Sequence, residues 1–185
     1  MEKIVKHPQE KIVETFNFNG AIVELVEWID TIWCGKVSDP ADEKLLEVFQ
    51  AVTAKELVNE RLEDSWDVAI SINHLSKELP PGVMFGFLVG TENQSKEYDI
   101  YKVSAQQFMR IRMNDETAKA LGHEPFRGGR PPYEWIGEQI APKYGYKYAD
   151  ETKPVFEYYG FWNNNTYSHE FVYLYVPVIK GENNG

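Results

Sequence analysis

One carboxylate in the sequence is distinguished by its neighbours. In PVFEYYGF, residues 154–161, side chains of an extended chain alternate, so Val155, Glu157 and Tyr159 share one face while Phe156 and Tyr158 share the other. In FVYLYVPVI, residues 171–179, Phe171, Tyr173 and Tyr175 share a face, and Val172, Leu174, Val176 and Val178 form the opposite, aliphatic one. An aliphatic face suits packing against helices. The expectation is therefore that Glu157 stands with Tyr159, Tyr173 and Tyr175 on the other side. A carboxylate walled by rings is unfavourable unless it is protonated, hydrogen-bonded, paired with a basic side chain or met by a cationic ligand. Each ring adds a cation–π attraction of about 0.5–2 kcal/mol, so such a site suits lipophilic cations. Parity alone leaves a second reading open, an exposed strand glutamate paired with a lysine.

Signals for catalysis are sparse. His7, His74, His123 and His169 are scattered, without the spacings that hold a metal. No nucleophile elbow, phosphate-binding glycine loop or dinucleotide fingerprint occurs. Cys34 is the only cysteine, which excludes an internal disulfide and a cysteine-based metal cluster, and it reads as a small strand residue. No cofactor and no metal are expected. Trp135 lies on the apolar side of a helix and serves a core as well as a pocket. Trp28, Trp33 and Trp66 have no assigned face. Phe108, Arg110 and Arg112 fall at alternate positions of a strand, and the two Arg read as solvated strand charges.

Composition narrows the partners. The 185 residues carry a net charge of −10, and no dense cluster of Lys and Arg is present to neutralise phosphates, so direct nucleic-acid binding is not expected. An acidic protein attracts cations instead. Aromatic residues make up 14% of the chain, which is high for core packing alone. No apolar run reaches membrane-spanning length and the amino-terminal stretch has no signal-peptide pattern, so a cytoplasmic location away from membranes is expected.

The elements that must position Glu157 come in two similar series. Residues 1–19 are charged and mildly amphipathic and carry no assignment. Residues 21–37 read as one strand. A helix starts at Asp39-Pro40, with Leu45, Phe49 and Val52 on one face and a second capping box at Thr53 and Glu56. Strands follow over 66–72 and 83–90. The order then repeats: a long strand over 98–113 with room for a bend, a Gly- and Pro-rich linker, a helix over 133–144 ended by Gly145, and strands over 154–161 and 171–179. The expected fold is α+β: one domain over 1–185 made of two pseudo-symmetric β-α-β-β units, about 20–92 and 97–180. They would form an antiparallel sheet with helices on one face and a ligand groove on the other.

Residues 133–161, YEWIGEQIAPKYGYKYADETKPVFEYYGF, followed by EFVYLYVPVIK, resemble the GyrI-like superfamily, which includes effector-binding domains of AraC-type regulators and integron-cassette binding modules. The resemblance rests on Trp135, the segment Pro142 to Tyr146, Phe156-Glu157-Tyr158-Tyr159 and Val176-Pro177-Val178-Ile179-Lys180. It covers about half the chain at motif level. The linker before Tyr133 and residues 1–19 depart from the family pattern. The resemblance implies a domain that senses or sequesters a small aromatic, cationic molecule, with Glu157, Tyr159, Tyr173, Tyr175 and Trp135 as the ligand-binding set. It also implies two alternatives: a hydrolase of electrophilic small molecules using Glu157 as general base, and a gyrase-inhibitor-like interaction module. No helix-turn-helix is visible, so a role in transcription regulation would place the DNA-binding part on a separate regulator chain, and a homodimer is equally compatible.

Overall fold

The computed structural model describes residues 10–39, 59–62, 68–72, 82–113, 117, 136–149, 153–159, 162–163, 168–169 and 172–182. The helix starts at Asp39-Pro40 and Thr53, together with Trp66 and Trp135, involve residues 40–58, 66 and 135, which lie outside that set. In chain order the strands are β1 (Glu10–Phe18), β2 (Ala21–Trp28), β3 (Thr31–Ser38), β4 (Val68–Ile72), β5 (Gly82–Val89), β6 (Asp99–Val103), β7 (Gln106–Met113), β8 (Tyr146–Tyr148), β9 (Val155–Tyr159), β10 (Trp162–Asn163), β11 (Ser168–His169) and β12 (Val172–Lys180).

Ten of these strands form one antiparallel sheet in the order β1-β2-β7-β12-β9-β4-β5-β3-β6, with β8 paired to the end of β12. β10 and β11 make a separate two-stranded ladder. β1 falls within the stretch 1–19 that the sequence left unassigned. A two-residue turn at Asn19-Gly20, both with positive φ (52° and 93°), folds β1 back onto β2. This turn geometry favours Asn-Gly because both central residues must be left-handed.

Two expected strands are each two. Residues 21–37 divide at Ile29-Asp30: β2 pairs with β1 and β7, whereas β3 pairs with β5 and β6. Residues 98–113 divide at Ser104-Ala105, with β6 beside β3 and β7 in the middle of the sheet. The two crossings are fastened together by the Ala105 N–H, which donates to Asp30 Oδ1 at 2.8 Å. The sheet therefore interleaves the two sequence halves, since β2 sits against β7 and β6 against β3. Close approach marks the β3–β5 ladder, where Gly35 opposes Gly86 and a Cβ on Gly35 would stand 1.9 Å from the Phe85 carbonyl oxygen.

Where a helix was expected over 133–144, the described residues form one π-helical turn (Ile136–Ile140) running into a 3₁₀ turn (Ala141–Tyr144), closed by Gly145 at φ 79°. Pro142 lacks the N–H that an α-helix would need, and the tighter turn accommodates it. Ile136, Ile140 and Ala141 pack on Val23, Leu25, Met109, Ile111, Leu174, Val176 and Val178, the aliphatic face of the sheet. Each such side chain contributes about 1.5–3 kcal/mol on burial. No helix among the described residues is long and apolar enough to cross a membrane.

Candidate functional site

The opposite face of the sheet is built from rings and charges. Alternation along β2 puts Glu24, Val26 and Trp28 on this face, and their partners on β7 are Arg110, Phe108 and Gln106. Arg110 in turn opposes Tyr175 on β12, and Tyr175 opposes Phe156 on β9. Tyr173 opposes Tyr158. Trp33, at the start of β3, reaches the same cluster from the far side of the sheet.

Six rings pack against one another here. Trp28 stands 4.4 Å from Phe108, 4.7 Å from Phe156 and 5.0 Å from Tyr175, centroid to centroid. Trp33 stands 5.1 Å from Phe156 and 6.1 Å from Tyr158. All six are buried, so the box is filled by its own side chains. Tilted and edge-on contacts predominate, the arrangement that aromatic quadrupoles favour.

A carboxylate enters this wall from β1. Glu10, opposite Trp28, has a fully buried side chain. One oxygen, Oε1, receives Arg110 Nη1, while Oε2 accepts hydrogen bonds from the Trp28 indole N–H at 3.2 Å and the Tyr175 hydroxyl at 3.1 Å. The other edge of the Arg110 guanidinium, at Nε, donates to Glu24 Oε2 at 2.8 Å. Its plane lies 4.8 Å from the centroid of Tyr173. Two carboxylates thus converge on one cation. Burial works against the charge on Arg110, but Tyr175, Glu10 and Glu24 outweigh it and hold the guanidinium above the ordinary arginine range. Burial, and then the Glu10 carboxylate, push Tyr175 well above the usual tyrosine range, so its hydroxyl is a donor at neutral pH.

Beside this network a groove of about 530 Å³ opens to solvent, lined by Glu10, Trp28, Ile29, Ala105 and Gln106 among others. That volume falls in the range of small-molecule pockets. Its rim is the pair of crossings held by Asp30 and Ala105.

No protein-family model and no characterised relative matches the sequence. Solved structures do. The EcmrR C-terminal domain superposes with a TM-score of 0.53 at 16% identity, over 85% of this chain and 97% of that one. The structure of SAV2435 bound to tetraphenylphosphonium gives 0.52 at 15% identity, over 90% and 94%. EcmrR in its DNA complex also gives 0.53 at 16% identity, and there the chain spans 57% of the EcmrR chain. The chain has the fold of these domains, the fold that the GyrI-like resemblance of its sequence implies.

Within this sheet, the residues expected from the sequence are divided. Tyr173 and Tyr175 belong to the ring-and-charge face, Tyr175 buried and Tyr173 half-buried. Glu157 opposes Leu174 on β12 and Ala69 on β4, which places it on the opposite face, with Val155 and Val176. The expectation that Glu157 shares a face with the tyrosines of β12 is corrected by this register. Alternation fixes which residues of one strand stand together, but a one-residue difference in register decides which face of the neighbouring strand they join. Tyr159 occupies the β9 position opposite Val172, and its side chain lies outside the described residues, as does Trp135. Arg110 is another correction. It is 3% exposed, because β7 is flanked by β2 and β12 and its ring-bearing face is covered. Glu10 was not foreseen in the sequence. The one local signal for its strand is Asn19-Gly20.

Proposed function

We propose that this domain binds a small aromatic cation at the Trp28 end of the ring box, with Glu10 as the buried counter-charge. The observation that carries this reading is the Glu10 carboxylate, enclosed by Trp28 and Tyr175 and held by a guanidinium that it shares with Glu24. Arg110 and two carboxylates leave this triad one unit negative, which favours a further cation. The rings of Trp28, Tyr175 and Tyr173 supply the cation–π surface. SAV2435, a protein of the same fold, has a structure with tetraphenylphosphonium, a lipophilic cation of the class proposed here. In this reading Glu157, on the helix-side face, makes no ligand contact, and binding serves effector sensing or sequestration.

Because the box is filled, a ligand enters by way of the groove and displaces Trp28 from the Glu10 edge. Glu10 exchanges its bond from Arg110 for the incoming cation, and Glu24 keeps the guanidinium in place. Titration of tetraphenylphosphonium and a panel of flat aromatic cations, followed by tryptophan fluorescence, tests this. Wild type should saturate. Glu10→Gln should weaken binding about tenfold or more, the equivalent of about 1.4 kcal/mol, while Glu157→Gln leaves it unchanged. Absence of saturable binding, or equal affinity in Glu10→Gln, would overturn the reading.

A further inference from the structure

Glu10, Trp28 and Gln106 occupy one row across β1, β2 and β7, on the ring-and-charge face. At about 4.8 Å per strand, the two outer residues of the row are about 10 Å apart at the backbone. All three line the groove. The Glu10 carboxylate is fully bonded. The Gln106 amide is not: both Nε2 and Oε1 are buried and neither has a hydrogen-bond partner. Its neighbour Gln107, on the opposite face, donates to Glu27 at 2.8 Å. A buried amide with both ends unmet is unfavourable, and such groups are rare in folded proteins unless something outside the chain meets them. Just behind the groove wall the row thus holds a buried anion at one end, an indole in the middle, and a buried donor with an acceptor at the other, all within reach of a ligand that moves Trp28 aside. Its rim is apolar at Ile29, which is 60% exposed.

We propose that Gln106 is the specificity-determining residue of this groove, selecting aromatic cations that also carry an adjacent donor and acceptor such as a primary carboxamide. This rests on the cation reading above and adds the second half of the ligand. A primary carboxamide pairs with a glutamine side chain through two antiparallel hydrogen bonds, donating to Oε1 and accepting from Nε2. A cation without that group leaves the amide as it stands.

Two pyridinium probes that differ only in the carboxamide test the idea: the 1-benzylnicotinamide cation and the 1-benzylpyridinium cation. Wild type should bind the carboxamide probe about tenfold tighter, the expectation for two modest hydrogen bonds. Gln106→Leu should abolish that preference, so that the two probes bind the variant with equal affinity. Gln106→Glu, which keeps the shape but loses the donor, should retain part of the preference, so the test does not depend on one variant. Equal affinity for both probes in wild type would overturn the role of Gln106 and leave the cation reading standing. A preference that survives Gln106→Leu would overturn it too. Binding of neither probe would overturn both.

Discussion

Glu10 and Trp28 face each other across the β1–β2 ladder, and the indole N–H of one donates to the carboxylate of the other at 3.2 Å. The contact ties the outermost strand of the sheet to the ring box. Trp28→Phe keeps the packing and removes the donor, so it should lower stability by about 1–3 kcal/mol, the range for a buried acceptor that loses a partner. Urea unfolding of Trp28→Phe, Glu10→Gln and the double variant measures the coupling. Additive effects would contradict a direct bond.

Arg110 separates two carboxylates. Arg110→Met should be more destabilising than the loss of either acid alone, about 3–5 kcal/mol, because Glu10 and Glu24 are then left without their shared cation. Adding Glu24→Gln to that variant should recover part of the loss. Thermal unfolding of the single and double variants decides it.

Alkaline pH should be destabilising through groups on both faces. Burial, with Asp99 adding to it, pushes the Cys34 thiol up to about 11, and burial raises Tyr173 and Tyr175. The folded state therefore holds protons that the unfolded state has already released. Their stabilisation is complete below the unfolded values and is lost as pH rises through the folded ones. Stability measured between pH 8 and 11 should fall with a negative slope, and Cys34→Ala should make that slope shallower.

The same burial predicts that Cys34 is chemically silent. At pH 8 the native thiol stays protonated, and the thiolate is the reactive species. A disulfide reagent should label the folded protein only as fast as it unfolds. Rapid labelling under native conditions would contradict the burial of β3.

Gly35 and Gly86 meet with no room for a Cβ. Gly35→Ala would set its methyl 1.9 Å from the Phe85 carbonyl oxygen, a backbone atom that cannot move without shifting β5. Gly86→Ala meets the Cys34 carbonyl oxygen at 2.3 Å. Each should cost several kcal/mol, well above the roughly 1 kcal/mol typical of point substitutions. Circular dichroism melts of either variant test this.

The antiparallel sheet and its aliphatic face were legible because they depend on alternation within a strand. Leu174, Val176 and Val178 pack under the helical turns as their pattern requires. Strand breaks were harder to read. Ile29-Asp30 and Ser104-Ala105 lie inside runs of strong β-formers, and what divides each run is a change of partner strand, which local propensity does not encode. A carboxylate among rings does occur, at Glu10 and not at Glu157. Nothing local marks Glu10, since its setting depends on a contact 165 residues apart in sequence, and the face of Glu157 depends on the register between β9 and β12. Arg110 has the residue type of a surface charge, and only its place between two covered strands makes it an interior one.

That separation has a consequence for how the site forms. Glu10 on β1 bonds Tyr175 on β12, the first and last strands of the main sheet, and Arg110 on β7 completes the network. A chain emerging from the ribosome makes the β1–β2 hairpin early, yet Glu10 has no wall until β12 has been synthesised and docked. Contacts this distant in sequence slow folding. A nascent or carboxy-terminally truncated chain should therefore have no ligand affinity, so ligand added during refolding can act only on molecules that have already closed the sheet.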